Sequence, residues 1–515
     1  MSKKLVKSTA IVGAMTLLSR LLGFVRDMVV ARLFGAGIGA DAFFVAFKIP
    51  NLLRRLFAEG SFSQAFVPVL SEYRTQRGHA EVKRLTDDVA GTFGAILLLV
   101  TVVGVVAAPI LIFLFAPGFV DEGGKYDLAT SMLRLTFPYI FFISLTAFAG
   151  SILNTYGRFG VPAFTPVLMN LCLIGCALWL APRMEEPVMA LAWGVLLSGV
   201  VQLLFQFPFL RRLHLLPRPR WGSKDEGVRK VMRLMLPALF GSSVVQLNLL
   251  INTVIASFLV TGSVSWLYYS DRMVEFPLGL LGVALATVIL PNLSQQHAAA
   301  SPQHFSRTLD WALRWVMLVG TPATVGLFML AGPLLTTLFQ YGAFTPHDAE
   351  MATRSLMAYA IGLQGFILVK VLAPGFFARQ DVRTPVRIGI IAMVANLLLN
   401  LLLVWPLAHA GLALATSLSA FINAALLYRI LRREGVYTPE PGWPRLLWQI
   451  AVANGVMAAL LWWGASDMAT WFAWSGAERA RQLLLWVGVG GLAYLFTLLL
   501  LGVKFRTLWQ NRVGE

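Results

Sequence analysis

The sequence predicts an all-α polytopic membrane protein with fourteen transmembrane helices. Hydrophobic residues make up 57% of its 515 residues and charged residues only 13%, whereas soluble domains carry about 25% charged residues. The mean hydropathy is +0.72. Apolar runs of roughly 20 residues, the length of a helix that crosses a bilayer, recur along the chain, as in 94–115 and 482–503. A transmembrane barrel would instead show alternating segments of about 10 residues.

Fourteen segments are predicted to span the membrane, and the second and eighth are interrupted and carry polar residues. They lie at 8–34, 38–72, 88–115, 127–156, 161–181, 187–210, 229–260, 264–293, 308–340, 350–378, 385–405, 408–430, 443–465 and 482–503.

Lysines and arginines alternate between the connecting segments. They cluster before span 1, after spans 2, 6, 10 and 12, and in the tail, while most other loops are poor in cations. The loop between spans 13 and 14, with Arg479 and Arg481, is the weak exception. Because cytoplasmic loops hold an excess of cations, this pattern predicts that both termini are cytoplasmic. It also accounts for most of the net charge of +17 without a nucleic-acid partner.

An internal repeat divides the chain. "VVARLFGAG" at 29–37 resembles "VIASFLVTG" at 254–262, and "APILIFLF" at 108–115 resembles "GPLLTTLF" at 332–339, with offsets of 223 to 225 throughout five such matches. We therefore predict two six-helix lobes related by pseudo-two-fold symmetry, followed by two extra helices. The predicted boundaries are 1–218 for the first lobe, 219–440 for the second and 441–515 for the extra helices. Parallel repeats of this kind are typical of secondary transporters, with the substrate between the halves.

Charged residues inside spans 1, 2 and 8 predict the functional site. A charge at mid-bilayer costs about 2.5–3.5 kcal/mol, so these side chains are expected to line a polar cavity that is cationic on balance. Arginine keeps its charge when buried and presents a planar fork that suits phosphate, which favours a phosphate or pyrophosphate cargo. The predicted ligand residues are Arg20, Arg26, Arg54 and Arg272. For Asp27, Arg32, Lys48 and Glu59, interfacial or structural pairing is an equal alternative.

Other chemistries find little support in the sequence. No G-x-x-x-x-G-K-[ST] loop for ATP occurs, and no paired cluster of His, Cys and carboxylates predicts a metal site or a nucleophile. Cys172 and Cys176 read as small core residues of one apolar run. Asp271 and Glu275 leave a membrane-embedded enzyme as a minor alternative.

Several long motifs resemble the MurJ (MviN) lipid II flippase family of the multidrug/oligosaccharidyl-lipid/polysaccharide exporter superfamily. They are "SRLLGFVRDMVVARLFGAG", "ADAFFVAFKIPNLLRRLFAEGSFSQAFVPVLSEY", "SVSWLYYSDRMVEFPLGLLGVALATVILP" and "LAPGFFARQDVRTPV". The resemblance covers almost the whole chain. It implies lobes arranged as a V, a non-enzymatic transporter in the bacterial cytoplasmic (inner) membrane, and an apolar groove in the last two helices for the lipid tail.

The resemblance also implies the cargo and the site. The cargo is lipid II, the undecaprenyl-pyrophosphate-linked disaccharide-pentapeptide, which moves from the inner to the outer leaflet by alternating access. The family's cavity arginines match the four ligand residues named above. Gating or supporting roles fall to Ala31, Asp41, Lys48, Arg55, Glu59, Asp271 and Glu275. Membrane lipids, and possible cell-wall synthesis machinery, are the other expected partners.

The energy source is not apparent from the resemblance. Some family members have a sodium site with an Asp in the seventh helix and ligands in helices 11 and 12, but spans 7, 11 and 12 here carry no carboxylate. We therefore expect no cofactor or metal, and driving by membrane potential or an ion gradient. Two rivals remain open, namely a flippase for another polyprenyl-pyrophosphate-linked glycan and a non-transporting cell-wall scaffold. A cation-drug exporter is disfavoured, because it would need an acidic cavity, whereas the predicted cavity is cationic on balance.

Overall fold

The protein is helical throughout the part of the chain that the computed structural model describes. That part comprises residues 3–55, 62–299, 301–465 and 467–503, without the side chains of 3–9, 236–249 and 283–288. The helices are α1 (Lys3–Phe34), α2 (Ile38–Arg54), α3 (Ser63–Gln76), α4 (Gly78–Val106), α5 (Ala108–Phe115), α6 (Lys125–Thr136), α7 (Tyr139–Thr155), α8 (Gly160–Gly175), α9 (Met189–Arg212), α10 (Glu226–Ser257), α11 (Ser263–Pro277), α12 (Val283–Ala298), α13 (Pro302–Trp315), α14 (Thr321–Met329), α15 (Ala331–Phe339), α16 (Pro346–Leu372), α17 (Pro374–Phe377), α18 (Arg383–Arg433), α19 (Trp443–Ala465), α20 (Met468–Ala473) and α21 (Gly476–Leu500).

Within the described residues, nine helical segments are long and apolar enough to cross a membrane. One of them, α18, contains two predicted spans, because its backbone leaves the helical region at Ala408, two residues after Pro406. Predicted span 8 is interrupted by the π-helical turn Leu278–Gly282 between α11 and α12. The all-helical prediction is confirmed, and the count of fourteen spans is consistent with these helices.

Two compact units make up the chain, Met1–Val264 and Ser265–Glu515. In the first unit, α3, α4 and α7 meet in an aromatic cluster, in which the Phe62 ring lies 4.4 Å from Phe93 and 5.9 Å from Phe148, centroid to centroid. The predicted lobe boundaries, their pseudo-two-fold relation and the V shape stay predictions.

Helix α10 packs within the first unit, although the repeat assigns it to the second lobe. Lys230 of α10 contacts Glu72 of α3 at 2.6 Å, and Arg77 contacts Glu226 at 3.5 Å. These ion pairs lie at the beginning of α10. Their side chains are at least one third exposed, and exposed pairs of this kind contribute only about 0–1 kcal/mol each.

The segment 213–225, which leads into α10, is docked on α4. The Asp87 carboxylate accepts a hydrogen bond from the Arg218 amide at 2.7 Å, and the Asp87 carbonyl accepts one from the Arg220 amide at 3.0 Å. At Gly91 a Cβ atom would lie 2.0 Å from the Arg220 carbonyl oxygen, so the close approach requires glycine. The segment is therefore a fixed part of the first unit.

The repeat is visible in the positions of the helices. Ala108 and Ala331 begin α5 and α15, and Gly160 and Arg383 begin α8 and α18. In both pairs the second start follows the first by 223 residues. The offset read from the sequence thus recurs in the helix bounds.

One pair of positions related by the repeat carries opposite charges in the two units. In the first, Lys125 near the start of α6 contacts Asp41 of α2 at 3.1 Å. In the second, Asp348, 223 positions later, accepts a hydrogen bond from the indole of Trp266 of α11 at 2.9 Å. The same position is therefore a cation in one repeat and an anion in the other.

Within the second unit, the segment that leads into α19 is held to α13 through Asp310. This buried carboxylate accepts hydrogen bonds from Tyr437 at 2.8 Å and Trp443 at 2.7 Å, and it pairs with Arg314 at 2.6 Å. Burial and the hydrogen bond to Asp310 raise the pKa of the Tyr437 phenol above its usual range, so the hydroxyl keeps its proton and its bond. The connection into α19 is thus held by side chains.

Arg479 is one of the two cations in the exceptional loop between spans 13 and 14, and the structure gives it a role in the fold. Its guanidinium is buried and donates hydrogen bonds to the carbonyl oxygens at the ends of α15 and α20. The acceptors are Trp471 at 2.8 Å, Phe472 at 2.9 Å, Gln340 at 3.1 Å and Thr336 at 3.3 Å. The final carbonyls of a helix carry partial negative charge, so a cation is favoured there. This arginine braces the fold and is no signal of sidedness.

We predict that Arg479→Met destabilises the protein by about 3 kcal/mol, because four buried or partly buried carbonyls lose a charged donor. The apparent melting temperature of the purified protein in detergent should fall by several degrees. Arg481→Met makes the same charge change two residues further on, at an exposed position, and should leave the melting curve unchanged. Equal shifts in both variants would contradict the bracing role.

Candidate functional site

Helix α1 carries the first two predicted ligand arginines in different environments. Arg20 is exposed. Arg26 is only 6% exposed, and its Nε and Nη2 atoms both donate to Asp27 Oδ1, at 3.0 and 2.6 Å. Burying an ion pair is costly unless its hydrogen-bonding groups are satisfied. Ala31, one turn further along, is fully buried.

Asn170 of α8 is a partner of Arg26 that the sequence analysis missed. Its Oδ1 accepts a hydrogen bond from Arg26 Nη1 at 3.1 Å, and its Nδ2 donates to the Ser19 carbonyl oxygen at 3.0 Å. The residue is 5% exposed. A single amide inside the apolar run "VLMNLCLIG" was the available signal, because a buried amide needs partners. Asn170 therefore ties α8 to α1 and fixes the direction of the Arg26 side chain.

Helix α2 positions the second group of predicted cations. Arg54 donates from Nε and Nη2 to Asn51 Oδ1 at 3.0 and 2.9 Å, one turn back along the helix. Lys48 and Arg55 are partly buried. Glu59 lies outside the described residues.

The predicted i,i+3 pair of α11 is formed in the second unit. Arg272 Nη1 contacts Glu275 Oε2 at 2.6 Å, and the guanidinium lies 5.4 Å from the ring centre of Tyr268. Both charged side chains are partly exposed, and Asp271 is exposed. The acid thus orients the arginine while leaving part of its surface accessible.

Asp41 belongs to a buried network at the start of α2. Its Oδ2 lies 3.1 Å from Lys125 Nζ and accepts a hydrogen bond from the Gly262 amide at 2.8 Å. Lys125 also pairs with Glu122 at 2.6 Å, and Thr261 donates to the same Glu122 oxygen at 2.8 Å. Asp41 and Lys125 are each 1% exposed. We call these five residues the α2 junction.

Gly262 is needed at the α2 junction for its backbone. Its φ is +99°, in the region that favours glycine, and this turn directs its amide at the carboxylate of Asp41. The junction therefore joins helices of the first predicted lobe to the turn between α10 and α11, which the sequence places in the second.

The structure gathers the predicted residues into two groups. The first unit contains Arg20, Arg26, Ala31, Asp41, Lys48, Arg54 and Arg55, and the second contains Asp271, Arg272 and Glu275. The convergence of the four ligand arginines on one cavity stays a prediction.

In the described ranges, no group of three His, Cys, Asp or Glu side chains could hold a metal ion. The central stretch of α18, residues 389–428, contains no Asp, Glu, Lys or Arg. Asn400 donates to Asn396 at 3.0 Å, and Asn396 lies 3.4 Å from the hydroxyl of Thr416.

The chain is similar to known proteins in sequence and in structure. The sequence profile of the family "Lipid II flippase MurJ" matches residues 30–479. A Vibrio cholerae protein named "Probable lipid II flippase MurJ" is 52% identical, over 98% of each chain. A solved structure titled "Lipid II flippase MurJ, inward closed conformation" superposes with a TM-score of 0.79 at 26% identity, covering 95% of this chain and 98% of that one.

A more distant likeness concerns the fold alone. An inward-facing multidrug resistance MATE family transporter of the MOP superfamily gives a TM-score of 0.67 at 16% identity, over 83% of this chain and 98% of that one. Because the family profile covers most of the sequence and the Vibrio cholerae relative matches almost end to end, the chain belongs to the MurJ lipid II flippase family.

Proposed function

We propose that this protein moves lipid II from the inner to the outer leaflet of the cytoplasmic membrane. Family membership supports the cargo, and the buried guanidinium of Arg26 inside an apolar helix bundle is the observation that carries the site. The protein acts as a transporter and forms or breaks no covalent bond of its substrate. Failure of the transport experiment below would favour another polyprenyl-pyrophosphate-linked glycan or a scaffold.

The proposed orientation places both termini in the cytoplasm. The charge alternation supports it. Exposed tryptophans lie at the predicted outer ends of three spans, namely Trp179, Trp405 and Trp463, which are 73%, 87% and 82% exposed. Tryptophan is enriched at both membrane–water interfaces, so these side chains fit a position at the headgroups but do not distinguish the two sides.

The four predicted ligand arginines are proposed to hold the pyrophosphate. The partners described for three of them include Asp27 and Asn170 for Arg26, Asn51 for Arg54, and Glu275 for Arg272. Charge-assisted bonds between arginine and phosphate are stronger than neutral ones, so an anionic head group can replace the amide partners.

The α2 junction is proposed to close the outer side of the cavity. Its central ion pair is buried, whereas the pairs Lys230–Glu72 and Arg77–Glu226 at the other end of α10 are partly exposed. Release of the junction would free the turn between α10 and α11 from α2. Alternating access then consists of breaking one set of contacts at a time. Lys48, Arg55, Glu59 and Asp271 are proposed to add supporting charge around the cavity.

The proposed driving force is the membrane potential or an ion gradient. Moving one elementary charge across the membrane changes its free energy by about 2.3 kcal/mol per 100 mV. A pyrophosphate that moves outward carries negative charge away from a negative interior, which is the favourable direction.

The exposed Leu and Trp side chains of α19 and α21 are proposed to form the groove for the lipid tail. Contact with cell-wall synthesis enzymes is a further expectation from the family.

Arg26→Gln and Arg272→Gln should each reduce transport at least about tenfold, because each lost charged contact with phosphate is worth roughly 1.5–3 kcal/mol. The measurement is lipid II exposure on the outer leaflet of cells depleted of their own flippase and supplied with this chain. Membrane abundance is matched, and Arg433→Gln in a predicted cytoplasmic loop is the control. Full activity of both variants would refute the ligand role, and no restoration by the wild type would refute the cargo.

Asn170→Leu should lower transport by acting through Arg26. The leucine removes the acceptor that directs Nη1, so the guanidinium is mispositioned but still charged. In the same assay, Arg26→Gln combined with Asn170→Leu should be no worse than Arg26→Gln alone. Additive losses would show that Asn170 acts on something other than the arginine.

Asp41→Asn and Lys125→Gln should each impair transport, since each removes one member of the buried ion pair that joins α2 to α6 and leaves the charge of the other. The double variant should recover much of the activity, because neither charge remains, with a coupling of about 1–3 kcal/mol in the cycle. Lys83→Gln, which removes a partly exposed ion pair with Asp87 on α4, is the control and should be near neutral. A double variant as poor as the product of the singles would exclude the pair as a closing element.

A further inference from the structure

A cavity of about 270 Å³ lies in the first unit, apart from the residues assigned to transport. It is formed by the early part of α1, the turn between α7 and α8, and the end of α9. Its walls include Arg158, Phe159, Phe209, Arg212 and Ile11. The turn depends on Gly157, whose φ is +74°, and it brings Arg158 to the mouth of the cavity.

The two arginines of the cavity are the reason to expect an anionic ligand. Both side chains are exposed, and neither forms an ion pair with a carboxylate within the described chain. The guanidinium of Arg212 lies 5.9 Å from the Phe209 ring centre, and no acidic residue lines the walls. In contrast, Arg220 and Arg379, which belong to other loops on the same predicted side, contact Asp88 and Glu434.

The position of the cavity indicates where the ligand comes from. Helix α8 begins at Gly160 and α9 ends at Arg212, so the cavity lies at the ends of helices, on the side where the cationic loops cluster. That level corresponds to the headgroups of the inner leaflet in the proposed orientation. Basic pockets between transmembrane helices on the cytoplasmic side are suited to lipid head groups.

We propose that this cavity binds the phosphate of an anionic phospholipid of the inner leaflet. Arg158 and Arg212 hold the phosphodiester, and Phe159 and Ile11, which are 38% and 39% exposed, contact the glycerol and the first methylenes of the chains. The mixed lining favours a lipid over a free phosphate ion, which would make no use of the apolar wall.

The bound lipid would also support α1. At Gly160 a Cβ atom would lie 3.1 Å from Ile11 Cγ2, so α1 and α8 approach closely beside the cavity. Further along the same two helices, Asn170 holds Arg26. A lipid wedged at the end of this helix pair therefore stabilises the arrangement that positions a cargo ligand.

The test measures binding of fluorescent phosphatidylglycerol to the delipidated full-length protein in detergent, without lipid II. Each Arg→Gln change at 158 or 212 should weaken binding about 5-fold, and both together about 25-fold, from roughly 1 kcal/mol per cation. Arg211→Gln is the matched control, since Arg211 is the exposed neighbour of Arg212 and does not line the cavity. It should bind as the wild type does, and melting curves confirm that all variants are folded.

Three outcomes would overturn the proposal. Equal weakening of phosphatidylglycerol binding by Arg211→Gln would indicate attraction by a diffuse surface charge. Equal binding of phosphatidylcholine would show that the cavity does not recognise the negative charge of the lipid. Displacement of the lipid by millimolar inorganic phosphate would indicate a soluble phosphate ligand instead. Because no cargo is present in this experiment, its result is independent of whether the protein transports lipid II.

Discussion

The structure depends on how positive charges are accommodated inside an apolar helix bundle. A buried guanidinium or ammonium group that lacks partners is far more costly than any single packing contact. Three buried cations meet this requirement in different ways. Lys125 is surrounded by Asp41 and Glu122, Arg479 by carbonyls at helix ends, and Arg26 by one carboxylate and one amide. The three cations thus differ in the kind of partner that stabilises them.

These differences bear on whether each buried cation can exchange its partners during transport. Arg479 donates only to backbone carbonyls that cannot leave, so its bonds persist as long as α15 and α20 do. Lys125 has two carboxylates within reach, and Glu122 lies only three residues before it, so Lys125 keeps one partner when α2 moves away from it. Arg26 is contacted by a side-chain amide and by its own neighbour in sequence, and under the proposed function an incoming phosphate would compete with these side chains. The same residue type thus has backbone acceptors at one place and side-chain acceptors at another.

The connections between helices are held as firmly as the helices themselves. The segment leading into α10 is fixed to α4 through Asp87, and the segment leading into α19 is fixed to α13 through Asp310. A connection without side-chain contacts would leave its flanking helices free to change their separation. Side-chain hydrogen bonds remove that freedom. Movement is therefore expected within helices and at their contacts rather than in these connections.

The sequence by itself determined the helical class, the repeat and the local pairs. Apolar runs, cation-rich loops and an offset near 223 are one-dimensional signals, and the i,i+3 pair of Arg272 and Glu275 follows from helix geometry. Tertiary structure alone decided that Asn170 reaches Arg26, that Lys125 reaches Asp41, and that Arg479 has a structural task. Those partners lie 144, 84 and up to 143 residues apart. No periodicity within one helix encodes which faces of distant helices meet, because that choice is made by packing.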